Sequence, residues 1–392
     1  MRRGDRHHSP GMQCDATDFR IEVENMKLVA ANVFDYKLNY AHGEYVMSGG
    51  RAAVHQIGTL VRLRTDEGLE GWGEITPLGS TYLPTSPNIV RAGLAEILPQ
   101  LIGLDPTNIS LMNRAMDTAM LGQGYAKSAV DIACWDLLGK RIGIPISRLI
   151  GGVLQEDFPI YEAVPLGSPE SMGDFVRARR EAGINRFQLK VGNAPTDDIA
   201  RTRASAEAGG TDTTIIADSN GGWNILDAQL AMRGMEDLPV YVEQPCRTTQ
   251  DSIIAHRNCR LPLVLDESIT NATELFEAKT VAGAVSVNIK ISRVGGFTKA
   301  VRMRDLMQEL NMMVSVEDMW GGDVITAAVS HIAASTRPES LLNVSFFNDW
   351  TDGHVAGYTP RSANGRGSAP TGPGLGITVD TEWLGEPIFT TD

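Results

Sequence analysis

The sequence predicts an α/β fold in which an N-terminal α+β domain precedes an eight-stranded parallel barrel ringed by helices. Three observations carry this expectation. After Gly152 short apolar runs recur, each ending in a chemically active residue. Six of these ends, at Lys190, Asp218, Glu243, Asp266, Lys290 and Glu317, follow one another at intervals of 23–28 positions. Helical periodicity fills the gaps between them. A strand, a helix and two loops need about that much chain, and strands buried on both faces read as continuous apolar runs.

Taken in order, residues 1–25 are polar and aperiodic, lack the apolar core of a secretory signal, and read as a disordered tail. Residues 26–152 form the α+β domain. Strand-like alternation over 27–37 and 57–64 is followed by the turn Thr65-Asp66-Glu67-Gly68 and the run Leu69 to Glu74, which together predict a hairpin. Helices follow over 88–101, 108–120 and 126–142; in the last, Ala129, Ile132, Ala133 and Leu137 share one face, with Asp131 and Asp136 off it. Residues 153–364 carry the barrel. Its first strand falls within 159–164 and its last within 341–346, with helices over 169–182, 197–208, 225–235, 248–257, 271–281, 297–310 and 326–335.

Composition narrows the function. Of 392 residues, Lys and Arg supply 35 and Asp and Glu 48, a net charge of −13. That balance argues against a nucleic-acid partner, whose phosphates call for clustered positive charge. Apolar residues at 42% and charged residues at 21% suit a folded soluble chain, and no run approaches the roughly 18 apolar residues of a spanning helix. Cys14, Cys134, Cys246 and Cys259 form no CxxC pair, so reduced thiols and a cytoplasmic location are expected. The expected partner is a small-molecule carboxylate, with no nucleic acid and no membrane, and a homo-oligomer is expected.

Side chains at the C-terminal ends of barrel strands face the usual catalytic mouth. A single strand-ending Asp often does no more than cap the next helix. Three consecutive strands ending in Asp218, Glu243 and Asp266 would repel one another unless a cation neutralised them. All-oxygen ligation selects a hard divalent ion, Mg²⁺ first and Mn²⁺ second. Lys190 and Lys290 end the flanking strands two and six. They either pair with the acids or, poorly solvated beside a cation, lose a proton and serve as bases on opposite faces of a substrate. GxSxG, HExxH and GxxxxGK[ST] are absent.

These segments (LKVG ending at Gly192, ADSN ending at Asn220, VEQP ending at Pro245, LDES ending at Ser268, and Asn288 to Gly296) resemble the enolase superfamily, in its muconate-lactonising and mandelate-racemase-like branch. The resemblance implies a modified (β/α)₇β barrel with an α+β capping domain, to which residues 365–392 return. It also implies Mg²⁺ on Asp218, Glu243 and Asp266, Lys190 and Lys290 as the acid/base pair, and Asn220 and Glu267 as supporting residues. Where the family often has Lys-x-Lys on strand two, this chain has Gln188 before Lys190, so one aid to lowering the lysine pKa is missing.

The implied chemistry is removal of the proton α to a carboxylate, giving a metal-stabilised enediolate. Reprotonation from the other face inverts the centre; loss of a β-hydroxyl dehydrates. Glu243-Gln244-Pro245-Cys246 resembles both hydroxyproline-betaine 2-epimerases and cis-3-hydroxyproline dehydratases. Trp320 is closer to the first group and offers a face to a cationic nitrogen. Ser48 to Arg51 and Thr81 to Pro84 are closer to the second. Asp318 and Asp323 are candidates to pair with an amino group or to cap a helix, and Tyr45 and Tyr82 to close over the substrate or to pack between domains. Racemase or epimerase leads and dehydratase is the alternative. A non-catalytic barrel binding a metal–carboxylate ligand is the reading from another class, and it leaves both lysines unexplained.

Overall fold

The structure, a computed structural model, describes residues 25–392. The expected tail lies outside these residues except for Asn25, as does Cys14.

The capping domain is built on an antiparallel meander of β1 (Leu28–Asn39), β2 (His55–Thr65) and β3 (Glu70–Ile75), in register Val33↔Val61 and Thr59↔Ile75. Gly68, at φ +81°, lets the chain turn between β2 and β3. Helices α1 (Pro87–Ile97), α2 (Ile109–Ala119) and α3 (Gly124–Ile142) cover one face. α3 lies directly on β3 because Gly71 and Gly73 present no side chain to it. A Cβ at Gly73 would stand 1.8 Å from the Ala129 carbonyl oxygen, and one at Gly71 2.3 Å from that of Ala133.

The residues of α3 off its apolar face are buried too. Asp131 accepts from the Thr298 backbone N–H (2.7 Å) and hydroxyl (2.8 Å), and Asp136 from the Trp72 (2.9 Å) and Leu375 (2.8 Å) N–H groups. The helix is therefore a seam joining cap, barrel and C-terminal segment, and its carboxylates satisfy backbone donors that water cannot reach.

Beyond the short α4 (Ile146–Leu149), eight parallel strands follow in chain order: β4 (Glu162–Val164), β5 (Arg186–Lys190), β6 (Thr214–Asp218), β7 (Val240–Glu243), β8 (Leu263–Leu265), β9 (Ser286–Lys290), β10 (Met313–Glu317) and β11 (Leu341–Val344). The first and last meet through a parallel bridge between Tyr161 and Ser345, where Tyr161 N–H donates to the Val344 carbonyl at 3.0 Å. The first apolar run divides: Phe158–Pro159 turns away to pair with Arg366–Gly367, and only the residues after it join the barrel. Proline has no N–H for an interior ladder.

Seven helices alternate with the strands: α5 (Pro169–Glu181), α6 (Pro195–Gly209), α7 (Ile225–Met235), α8 (Thr249–His256), α9 (Ala272–Thr280), α10 (Phe297–Glu309) and α11 (Asp323–Ala334). Ser168, Asn224, Thr248 and Asn271 cap α5, α7, α8 and α9 by accepting from backbone N–H groups of the first turn. No α-helix follows β11 directly. The chain continues through a 3₁₀ turn at Phe347–Trp350, and its last strand β12 (Phe389–Thr391) pairs with β1.

α11 is buried all round. Its N-terminus meets Glu74 of β3, whose carboxylate accepts from Gly322 N–H (2.7 Å) and Ile325 N–H (2.9 Å), an anion at the positive end of a helix that fixes cap to barrel. Among the described residues no helix is long and apolar enough to cross a membrane.

Candidate active site

Register assembles the site. Lys190 is paired with Asp218 across β5 and β6, Asp218 with Glu243 across β6 and β7, and Lys290 with Glu317 across β9 and β10. Adjacent strands lie about 4.8 Å apart, so side chains at matched positions on one face must meet. Lys190 Nζ donates to Asp218 Oδ2 at 2.5 Å and to Gln188 Oε1 at 2.8 Å. Lys290 Nζ lies 2.5 Å from Asp266 Oδ2 and 2.7 Å from Glu317 Oε1. Arg293 Nη1 holds the other oxygen of Asp266 at 2.6 Å, and Tyr161 donates its hydroxyl to Glu317.

All these groups are buried, and their ionisation follows from their partners. Burial opposes the charge on Lys190, but Asp218, with Tyr45 and Glu243, outweighs it and holds the ammonium well above the usual lysine range. The same balance holds Lys290 up, through Asp266 and Glu317. Burial, reinforced by Asp218, Asp266 and Glu317, raises the Glu243 carboxyl. Asp266 moves the other way: burial would raise it, yet Arg293 and Lys290 together hold it well below the carboxylate range. Of the two lysine roles open in the sequence, the geometry shows the ion pairs directly.

Among the described residues, the carboxylates that offer oxygens within 4.8 Å of one another are Glu243, Asp266 and Glu317. Glu243 and Asp266 belong to the expected metal set and Glu317 joins them; Asp218, the third expected ligand, adjoins Glu243 in the register with its Oδ2 bonded to Lys190 and to Asn220 Nδ2 (2.8 Å). A buried, all-oxygen acidic triad matches the donor chemistry of a hard divalent cation. Glu317 carried the same strand-end signature as its neighbours. Arg293 and Tyr161, in a loop and ahead of a strand, carried none.

Above the acids a narrow cleft lies between cap and barrel. Tyr45, Tyr82, Lys190, Lys290, Asp318 and Trp320 all line it. Trp320 is stacked on Phe347 (5.9 Å between centroids) and met edge-on by Tyr45 (5.3 Å) and Trp350 (6.1 Å), so one wall is aromatic. Tyr82 donates to Asp266 Oδ2 at 3.2 Å, its ring 5.6 Å from Lys290 Nζ. It also lines a larger outer recess with Ser48, Arg51, Asn220 and Glu267. Asn220 Nδ2 bridges Asp218 and Glu267 (2.8 and 2.9 Å), and burial with the nearby Asp266 and Asp218 lifts the Glu267 carboxyl to about 7.

The two candidate amine partners are otherwise engaged. Asp318 reaches the cleft, but its oxygens accept from Ser292 N–H (3.1 Å), the Ser292 hydroxyl and Met319 N–H (2.7 Å). Asp323 is not among the cleft residues. It accepts from Ala356 N–H (2.7 Å) and Asn348 Nδ2 (3.0 Å), tying the start of α11 to the following loop. Asp323 thus holds the following loop and does not cap α11, whose N-cap is Gly322 with no side-chain bond.

Residues 44–151 match the family model described as the mandelate racemase / muconate lactonizing enzyme N-terminal domain, and residues 171–383 the one described as enolase C-terminal domain-like. The chain is 42% identical to a cis-3-hydroxy-L-proline dehydratase of Roseibium aggregatum, over 93% of this chain and 99% of that protein. It is 29% identical to an N-succinyl-L-Arg/Lys racemase of Bacillus cereus over 80% of this chain and 85% of the relative. A mandelate racemase/muconate lactonizing family structure from Roseovarius nubinhibens ISM, complexed with magnesium, superposes with a TM-score of 0.89 at 30% identity, covering 93% of this chain and all of that one. With both domains matched and 42% identity over 93% of its length, the chain belongs to the mandelate racemase/muconate lactonizing enzyme branch of the enolase superfamily.

Proposed function

We propose that this protein removes the proton α to the carboxylate of a proline-type amino acid or (hydroxy)proline betaine and returns one to the opposite face, acting as a racemase or 2-epimerase. The observation that carries the reading is the pair of buried lysines, Lys190 from β5 and Lys290 from β9, lining one cleft over an acidic cluster. As a neutral amine, one lysine takes the Cα proton while the C–H electron pair moves into the carboxylate system. The other, as an ammonium on the far side, gives its proton to Cα. Glu243 and Asp266, with Glu317 or Asp218, would hold Mg²⁺, or Mn²⁺ in its place. That cation supplies positive charge against the negative charge developing on the substrate carboxylate. Tyr45, Trp320 and Trp350 line that cleft, where aromatic walls would exclude water and attract a cationic ring nitrogen.

A second reading, dehydration of cis-3-hydroxy-L-proline, is favoured by the 42% identity to the Roseibium aggregatum dehydratase. The same lysine takes the α-proton, and the β-hydroxyl leaves as water with a proton from the other. Proton NMR in D₂O with proline, hydroxyprolines and their betaines tests both. Deuterium at Cα with an intact skeleton and inverted centre supports epimerisation; loss of water from cis-3-hydroxy-L-proline moves the conclusion to the second reading. No exchange with any of them removes both.

A further inference from the structure

Four carboxylates stand close together under the cleft, and their partners differ in kind. Asp218 has Lys190; Asp266 has Lys290, Arg293 and Tyr82; Glu317 has Lys290 and Tyr161. Glu243 is met otherwise. Gln188 Nε2 lies 3.0 Å from each of its oxygens, and Asn288 Nδ2 donates to Oε1 at 2.6 Å. Among the described residues its side-chain hydrogen bonds come from neutral amides alone. An ammonium or guanidinium cancels much of a carboxylate's charge, whereas an amide dipole orients the carboxylate and leaves its charge for a cation.

The placement has a sequence basis. Residues two apart on a strand share a face, so Gln188 lies one layer below Lys190 on β5 and Asn288 one layer below Lys290 on β9. The two strands thus repeat one device, an amide beneath a lysine, on either side of β7, which ends in Glu243. Gln188 Oε1 also accepts from Lys190 (2.8 Å), so one side chain joins ligand to lysine. Asn288 Oδ1 is buried without a partner, a destabilising state that places the weight of this side chain on its Nδ2 donor.

We propose that Gln188 and Asn288 are positioning residues, a neutral amide clamp that fixes Glu243 as the anchoring carboxylate for the divalent cation. This rests on Glu243 being a metal ligand. It also gives Gln188, the departure from Lys-x-Lys, a role of its own: its amide meets both oxygens of Glu243 and adds no charge.

The test is Mn²⁺ binding followed by electron paramagnetic resonance, with Mg²⁺ affinity from competition, for wild type, Gln188→Met and Asn288→Leu. Gln188→Met keeps the chain length and Asn288→Leu the branching, and each loses the donor. Both are expected to weaken Mn²⁺ and Mg²⁺ at least tenfold and to change the bound-Mn²⁺ spectrum, while the metal-free proteins keep the wild-type near-ultraviolet circular dichroism. A merely structural role would lower the melting temperature and leave affinity and spectrum unmoved. Constants within twofold of wild type in a folded variant overturn the clamp, and if one variant does not fold the other decides. A wild-type chain that binds neither ion overturns the metal reading itself, a result distinct from failure of the clamp alone.

Discussion

Lys190 Nζ stands 2.5 Å from Asp218 Oδ2, its matched neighbour in the parallel register, so the candidate base and an acid of the cluster are adjacent rungs of one ladder. An ammonium held this way takes up no proton until the surrounding negative charge is drawn elsewhere. Exhaustive chelation is therefore expected to abolish turnover, and Mg²⁺ to restore it. A cation bound only by the folded state would also raise the melting temperature at saturating Mg²⁺. Full activity after chelation, checked by elemental analysis, would remove the metal from the mechanism.

Asp266→Asn separates two views of the cluster. On the sequence alone its removal relieves repulsion among three carboxylates. In the structure Asp266 bonds Lys290 (2.5 Å) and Arg293 (2.6 Å), so the change leaves two buried cations short of a partner. Breaking a buried pair costs about 3–5 kcal/mol. The variant should lose metal affinity and also unfold at distinctly lower urea concentration. Unchanged stability with lost affinity would show that repulsion outweighs the ion pairs.

The two lysines predict opposite isotope behaviour. If each serves one stereoisomer, Lys190→Ala and Lys290→Ala both lose epimerisation, yet each keeps α-proton exchange with D₂O for one isomer, opposite in the two variants. In a dehydratase only one variant loses exchange. Exchange surviving in the double variant contradicts both assignments.

Legibility in the sequence tracked how local each constraint was. Strand ends and helix spans showed because burial on both faces and 3.6-residue periodicity are local, and N-caps such as Asn271 mark where helices begin. The lysines and acids were readable because the barrel sends each strand end to one mouth. Which oxygen meets which cation was not, since it depends on side chains from loops and distant strands. Arg293, reaching Asp266, Ile269 and Asn288 at once, has no periodic signature. Nor does the aromatic wall, which joins Tyr45 of the cap to Trp320, Phe347 and Trp350 of the barrel.

Trp320 is buried on several sides, so truncation to alanine would cost roughly 3–5 kcal/mol and confound binding with folding. Trp320→Phe keeps most of the packing and weakens the attraction for a cation, which is strongest over indole. KM for an N-methylated substrate should rise a few-fold more than KM for its secondary-amine counterpart, read from steady-state kinetics on both. Equal changes would withdraw the betaine and favour the dehydratase.

His331 gives the fold a pH dependence of its own, away from the acidic cluster. Its Nδ1 accepts from Ser147 N–H (3.3 Å) and its Nε2 lies 3.1 Å from the Leu375 carbonyl, so one neutral tautomer serves both and ties α11 to α4 and the C-terminal segment. Burial pushes the imidazole down to about 4, against a weaker upward pull from the Leu375 bond. The unfolded chain, with an ordinary histidine near 6.5, therefore binds the proton first as pH falls. The stability that neutral His331 confers is complete above about 6.5 and is lost between there and about 4, roughly 3 kcal/mol in all. Urea unfolding of wild type and His331→Asn at pH 7, 6 and 5 measures it. Carboxylates titrate alike in both chains and cancel in the difference. The advantage of the wild type should shrink as pH falls through this window, while turnover at pH 7 stays near the wild-type value. Parallel stability curves would show that His331 titrates as an ordinary histidine and that its buried bonds do not hold it neutral.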